Sequence, residues 1–301
     1  MSHHMEDFAR VELAVGHDRI AVYEKGAGAP VILLHGYPQT SLMWHRVAPV
    51  LARSFRVIAM DLPGYGRSSA PAGGPERYSK RRMAADLASV LDQLGIDCAL
   101  LVGHDRGGRV AYRAALDQPG RVAALAVLDI VPTGDIWERY DAGRAMKFWH
   151  WPFLAQPAPL PERLIGHDPQ GFIDMLMASW TKAGTLAPFD PICLADYHAS
   201  FSDPAHIAAS CDDYRAGATI DRTHDETTRH AEQRIHQPLL VLWGDSFAAG
   251  GARTPLDAWR EWADDAQGEA IDSGHFVCEE NADDVLLHLV PFLEEHATRI
   301  R

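Results

Sequence analysis

Long apolar runs are missing from this chain. No stretch approaches the roughly 18 residues that a membrane span needs, so no membrane partner is expected. Positive charge is also in short supply. Lys and Arg number 28 against 41 Asp and Glu, a net charge of −13 with neutral His, which disfavours wholesale binding to nucleic acid or an anionic surface. Cysteine is sparse, and Cys98, Cys193, Cys211 and Cys278 form no C-x-x-C pair. Neither a zinc knuckle nor a disulfide framework is indicated. The opening MSHHMEDFAR lacks the basic-then-apolar layout of an export signal, so a reducing, cytoplasmic setting is expected. Internal repeats and low-complexity tracts are absent too, which removes solenoid architectures.

What is present is ordinary globular composition, 47% hydrophobic over 301 residues, enough for one large α/β domain or a core plus an insert. RVELAV and RIAVYEK predict an early hairpin split at Gly16 and Asp18. PVILLHG, RVIAMDLPGYG, CALLVGHDRGG and AALAVLDIVP then supply unbroken apolar runs, the pattern of parallel strands covered on both faces. Between them, Met83, Leu87, Val90, Leu91 and Leu94 share one helical face, and Gly95 is a natural stop. The predicted fold class is therefore α/β, a mostly parallel, doubly wound sheet.

The alternation lapses from 133 to 228, a stretch of helical flavour rich in Trp, Phe, His and Pro. It resumes with QPLLVLWGD, TPLDAWREWADDA, a short strand near GEAIDSGH and a last helix through ADDVLLHLVPFLEEH. Residues 1–132 and 229–301 are thus expected to form the core, with 133–228 a helical lid over the strand ends, where open sheets bind ligands.

LLVGHDRGGRVAYRAAL carries the chemistry. Gly103, Asp105 and Gly107 have the G-x-nucleophile-x-G spacing, directly after a strand and opening a helix. Small neighbours are needed because the nucleophile sits on a sharp turn beside other backbone. The nucleophile position holds Asp, not Ser. A carboxylate displaces a leaving group from saturated carbon to give an ester that water cleaves, so esterase and peptidase chemistry lose weight. The plainer alternative is a helix-capping Asp without chemistry. Catalytic partners farther along the chain weaken it. His275, in DSGHFV, comes after the last strand, and an acid lies between it and the nucleophile. Asp129, ending AALAVLD, and Asp245, in LWGD, are rivals for that acid.

Arg106 and Arg109 stand three apart on the elbow helix, so both can face the side of Asp105. Two guanidinium groups beside a nucleophilic carboxylate suit a substrate that brings its own carboxylate, gripped by paired charge-assisted hydrogen bonds. A neutral substrate would leave them without a task.

HGYPQTSLMWHRVAPVLA, DLPGYGRSS, GHDRGGR, FWHWPFLAQP, CDDYRAGATID, LWGD and SGHF together resemble the α/β-hydrolase superfamily, and specifically the fluoroacetate (haloacetate) dehalogenases. The resemblance runs from about Ala9 to about Leu293. It implies Asp105 as nucleophile, Asp129 as the acid, His275 as the base, and Arg106 with Arg109 as the carboxylate clamp. His150, Trp151 and Tyr214 match the family's halide pocket, and their chemistry agrees. An imidazole N–H, an indole N–H and a phenol O–H can replace the water around a departing halide. The loop His35–Pro38 would lend a backbone N–H to an anion hole with Arg106, making Tyr37 a pocket-lining residue. Trp180 is a further candidate wall.

The expected activity is haloacetate dehalogenation, a hydrolysis at a carbon–halide bond, through an aspartyl ester and without metal or organic cofactor. The expected partner is a small anionic 2-haloacid, and the resemblance implies a homodimer. An epoxide hydrolase is the nearest alternative. It needs two lid tyrosines, Tyr214 with Tyr140 or Tyr197, but usually has Trp where this chain has Arg106. A haloalkane dehalogenase or a non-catalytic receptor on the same fold are the others.

Overall fold

The structure, a computed structural model, describes residues 5–246 and 253–300. The first four residues of the opening MSHHMEDFAR lie outside the described residues. One sheet is formed by β1 (Ala9–Val15), β2 (Asp18–Lys25), β3 (Pro30–Leu34), β4 (Arg56–Met60), β5 (Ala99–His104), β6 (Val122–Leu128), β7 (Leu239–Gly244) and β8 (Ala266–Ile271). Their order is β1-β2-β4-β3-β5-β6-β7-β8. The hairpin β1–β2 and the pair β2–β4 are antiparallel, and every other pairing is parallel. The fold is the α/β class that the alternating pattern predicts.

Burial follows from the composition of the runs. β5, β6 and β7 are buried at every residue, as strands covered on both faces must be. The edge strand β8 alternates between half-buried and exposed positions. The helix Lys80–Gln93 begins where the Ser79 side chain accepts the Arg82 N–H and ends before Gly95, whose φ is +67°. Met83, Leu87, Val90 and Leu91 are buried along it, and Leu94 is partly buried. Less expected, Lys80 and Asp86 are buried as well.

β3 has β4 on one side and β5 on the other. The chain therefore crosses from one half of the sheet to the other between β4 and β5, and the loops leaving β3 and β5 diverge. Such a switch point opens a crevice at the carboxyl ends of the strands. Between β6 and β7 the chain runs through a succession of helices, from Thr133–Glu138 to Ile220–His230. The last of them runs past residue 228. Three helices here, Pro169–Trp180, Pro191–Phe201 and Pro204–Ala218, start with an Asp-Pro pair. In each, the Asp side chain accepts a backbone N–H of the first turn and Pro occupies the first helical position. No helix among the described residues is long and apolar enough to cross a membrane.

Candidate active site

Asp105 follows β5 without a spacer and is the first residue of the helix Asp105–Asp117. Its φ is +42°, a left-handed conformation that is strained for a residue with a side chain and typical of a nucleophile elbow. The turn is possible only because its neighbours are small. A Cβ on Gly107 would lie 2.3 Å from Leu34 O, and one on Gly103 would lie 2.6 Å from Gly107 O. The loop after β3 closes on the other side, and the Tyr37 N–H donates to Asp105 Oδ2 at 3.0 Å. Burial disfavours the charged form of Asp105. Nearby His275, Arg106 and Arg109 outweigh it and hold the carboxyl well below the usual carboxylate range.

Geometry separates the two candidate carboxylates. Asp129 follows β6, also at positive φ (+53°). Its Oδ2 lies 2.5 Å from His275 Nδ1, and its Oδ1 accepts the Gly244 N–H at 3.0 Å. Asp245 instead holds Lys182 Nζ at 2.8 Å through both oxygens and is 44% exposed. His275 is buried, with His104 and Trp180 against its ring at centroid distances of 4.6 and 5.6 Å. Burial opposes its charging, but the hydrogen bond and charge of Asp129 prevail and raise its pKa above the ordinary histidine value. His104 Nε2 lies 2.9 Å from His275 O, and a carbonyl there requires that nitrogen to carry the proton. Burial, then repulsion from His275, pushes His104 down to about 3, so it is neutral.

A cavity lies over these groups. Asp105, Asp129 and His275 form its floor, Arg109, His150, Trp151, Trp180 and Tyr214 line its polar and aromatic wall, and Ile130, Val131, Ile136, Phe148 and Pro255 complete it. His150, Trp151 and Tyr214 are thus brought to one pocket with Asp105. Burial pushes His150 down to about 3, so it is a neutral imidazole, and its Nδ1 has no partner among the described residues. Burial pushes the Tyr214 phenol well up, so it stays a donor. Trp180 is among the lining residues as well.

Tyr37 requires a correction. Its side chain is not part of the cavity lining. The ring is fully buried one layer back, among Trp180, Phe201 and Tyr214, because the loop turns its backbone, not its phenol, toward Asp105.

The two arginines are both buried but differently held. Arg109 donates to Val131 O at 3.1 Å and Thr133 Oγ1 at 3.0 Å, and its Nε has no partner among the described residues. Its guanidinium stacks 4.7 Å from the Trp151 ring. Arg106 lies deeper, fully buried behind the residues that line the cavity and 4.4 Å from the Tyr214 ring. Its Nε and Nη2 bond Asp213 Oδ2 and Oδ1 at 2.9 and 2.5 Å, and Nη2 also bonds Asp213 O at 2.9 Å, while Nη1 has no partner. Neither Asp213 nor Lys80, which also contacts it, is marked by any sequence pattern. Only the neighbourhood of Tyr214 in CDDYRAG hints at Asp213, and nothing local distinguishes it from Asp212, which pairs with Arg215 instead. Of the other lid tyrosines, Tyr140 donates to Phe148 O at 2.8 Å and Tyr197 to Glu279 Oε1 at 2.5 Å.

Residues 29–282 match the α/β hydrolase fold family. The chain is 40% identical over 294 residues to a fluoroacetate dehalogenase from Burkholderia sp, covering 96% of this chain and 95% of that one. It is 33% identical to a soluble epoxide hydrolase from Corynebacterium sp. (strain C12), covering 85% and 86%. Among solved structures, a provisionally assigned α/β hydrolase from Nostoc sp PCC 7120 matches with a TM-score of 0.93 and 45% identity, over 96% of this chain and 99% of that one. The sheet, the strained elbow and these likenesses lead to one conclusion: the chain belongs to the α/β-hydrolase family, and it resembles a fluoroacetate dehalogenase along nearly its whole length.

Proposed function

We propose that this hydrolase is a haloacid dehalogenase that converts haloacetates to glycolate and halide. The observation that carries the reading is the pair of buried guanidinium groups near Asp105, each retaining a buried N–H donor without a partner among the described residues, Arg106 Nη1 and Arg109 Nε. A buried donor left without an acceptor is costly, and a substrate carboxylate supplies matching acceptors.

Arg106 and Arg109 hold that carboxylate so that the α-carbon faces Asp105 with the halogen directed away, a near-attack arrangement. Asp105 Oδ2 is held by the Tyr37 N–H, which leaves Oδ1 to attack. The Oδ1–Cα bond forms as the carbon–halogen bond breaks, and the halide departs with the bonding pair. His150, Trp151 and Tyr214 donate hydrogen bonds to it. His275, oriented by Asp129, then takes a proton from water as that water attacks the Asp105 carboxyl carbon. The oxyanion so formed rests on the Tyr37 N–H and the amino end of the elbow helix. Collapse releases glycolate and restores the Asp105 carboxylate. The sum is haloacetate plus water giving glycolate, halide and a proton.

The alternatives are less well supported. Epoxide opening asks for two lid hydroxyls directed at the substrate, and those of Tyr140 and Tyr197 are committed elsewhere. Haloalkane hydrolysis brings no carboxylate to the open donors Arg106 Nη1 and Arg109 Nε. The test is halide release from fluoroacetate and chloroacetate, followed by ion chromatography. Release of either halide, lost in Asp105→Asn, supports the reading. No release from both substrates defeats it.

A further inference from the structure

The two arginines of the clamp are anchored by opposite means. Arg109 is held by a carbonyl and a hydroxyl, so none of its charge is cancelled by a direct partner. Arg106 is held by a carboxylate. Asp213, itself fully buried on the helix Pro204–Ala218, takes both the Nε and the Nη2 of Arg106. A guanidinium fixed at two of its three nitrogens cannot turn about its own plane. The remaining nitrogen, Nη1, therefore points in one direction only.

A carboxylate given wholly to Arg106 would also cancel the charge needed to hold an anion. Here it is shared. Lys80, buried at the start of the helix Lys80–Gln93, contacts the same Asp213 Oδ1. The Tyr65 hydroxyl takes Oδ2 at 3.2 Å. Asp221 lies farther from Lys80, with Oδ2 at 3.9 Å from Nζ, while its Oδ1 is occupied at 2.8 Å by the Lys80 backbone N–H. Asp213 thus serves two cations, Arg106 and Lys80, and Asp221 is a second, more distant carboxylate for Lys80.

We infer that Asp213, braced by Lys80, is a positioning residue. It fixes the direction in which Arg106 Nη1 meets the substrate carboxylate, leaving Arg109 to supply uncompensated charge. The role rests on the proposed haloacid activity.

The test compares Asp213→Asn and Asp213→Glu with wild type. KM and kcat are measured for chloroacetate, with inhibition by glycolate, an anion, and by glycolamide, its neutral counterpart. In Asp213→Asn, chloroacetate KM and the glycolate inhibition constant rise about tenfold or more, as expected for a misdirected charge-assisted bond. kcat falls by less, and the glycolamide constant stays within about twofold. Asp213→Glu recovers part of the glycolate affinity, since it keeps the charge. Unchanged KM in a folded Asp213→Asn protein overturns the inference. So does an equal weakening of glycolate and glycolamide, which signals general loss of packing.

Should Asp213→Asn fail to fold, the comparison of Arg106→Gln with Arg106→Gln/Asp213→Asn replaces it, because the double variant removes both charges together. Equal KM values in those two support action through Arg106, and a further loss in the double variant overturns it. Absence of halide release from wild type defeats the haloacid reading instead. Release by wild type with normal KM in Asp213→Asn defeats the positioning role alone.

Discussion

His275 Nδ1 stands 2.5 Å from Asp129 Oδ2 inside the fold. That single contact makes Asp129 the partner of the imidazole. Asp245, at the end of the neighbouring strand, spends both oxygens on Lys182. Replacing Asp129 by Asn should lower turnover by about 10³–10⁴-fold, the loss expected when a base loses its orienting carboxylate. Asp245→Asn should leave turnover within about threefold, as for an exposed ion pair. Steady-state halide release by both variants distinguishes the two acids, and a severe loss in Asp245→Asn would reverse the assignment.

His275→Gln should stop the second half of the reaction and spare the first. One equivalent of halide per site is expected, followed by arrest. Intact mass spectrometry should find the protein heavier by one carboxymethyl group, mapped to the peptide that contains Asp105. An unmodified protein after a stoichiometric burst would contradict the ester route.

Under the proposed mechanism, the acid limb of the pH profile should belong to His275. The base works only when neutral, and its pKa is raised above the usual value because Asp129 outweighs the effect of burial. Turnover should therefore fall as the pH drops through that raised value. Asp129→Asn removes the support and should move what limb remains to lower pH. Asp105 is held below the ordinary carboxylate range, so it stays ionised and adds no limb above about pH 4. A profile that ignores the Asp129 substitution would assign the limb elsewhere.

Arg109→Gln should cost about 2–3 kcal/mol of transition-state binding, the worth of a hydrogen bond to a charged group in a buried site. That is roughly 30- to 150-fold in kcat/KM for chloroacetate, most of it expected in KM. Equal kcat/KM for wild type and variant would place the carboxylate elsewhere.

Gly107→Ala probes the elbow without touching a reacting group. Its new methyl would meet Leu34 O at 2.3 Å and His35 O at 2.4 Å, both backbone atoms of the neighbouring strand end. Overpacking of this kind costs about 3 kcal/mol or more when the neighbour cannot give. Chemical denaturation should register it as a lowered midpoint. Wild-type stability would mean that the turn relaxes more readily than its contacts suggest.

Much of this protein is local enough to be legible in its sequence. Apolar runs separated by helical periodicity specify the alternating α/β core, because each strand must be apolar on both faces to be buried there. Gly103, Asp105 and Gly107 specify the elbow, because only that spacing lets a side chain sit on so tight a turn. The Asp-Pro pairs that start helices are equally local, as one side chain and one ring act on the next few residues.

Tertiary structure alone decided the rest. Asp129 and Asp245 end adjacent strands, and only packing reveals which carboxylate meets an imidazole 146 positions along the chain. The loop His35–Pro38 is expected to lend a backbone N–H, but only packing shows that the Tyr37 N–H meets Asp105 Oδ2 while the Tyr37 ring stays outside the cavity lining. Lys80, Asp213 and Arg106 come from three separate helices, and no periodicity links them. Local pattern reports which face of an element is buried. Which charges meet behind that face depends on how the elements dock, and in this fold that docking decides how the arginines beside Asp105 are held.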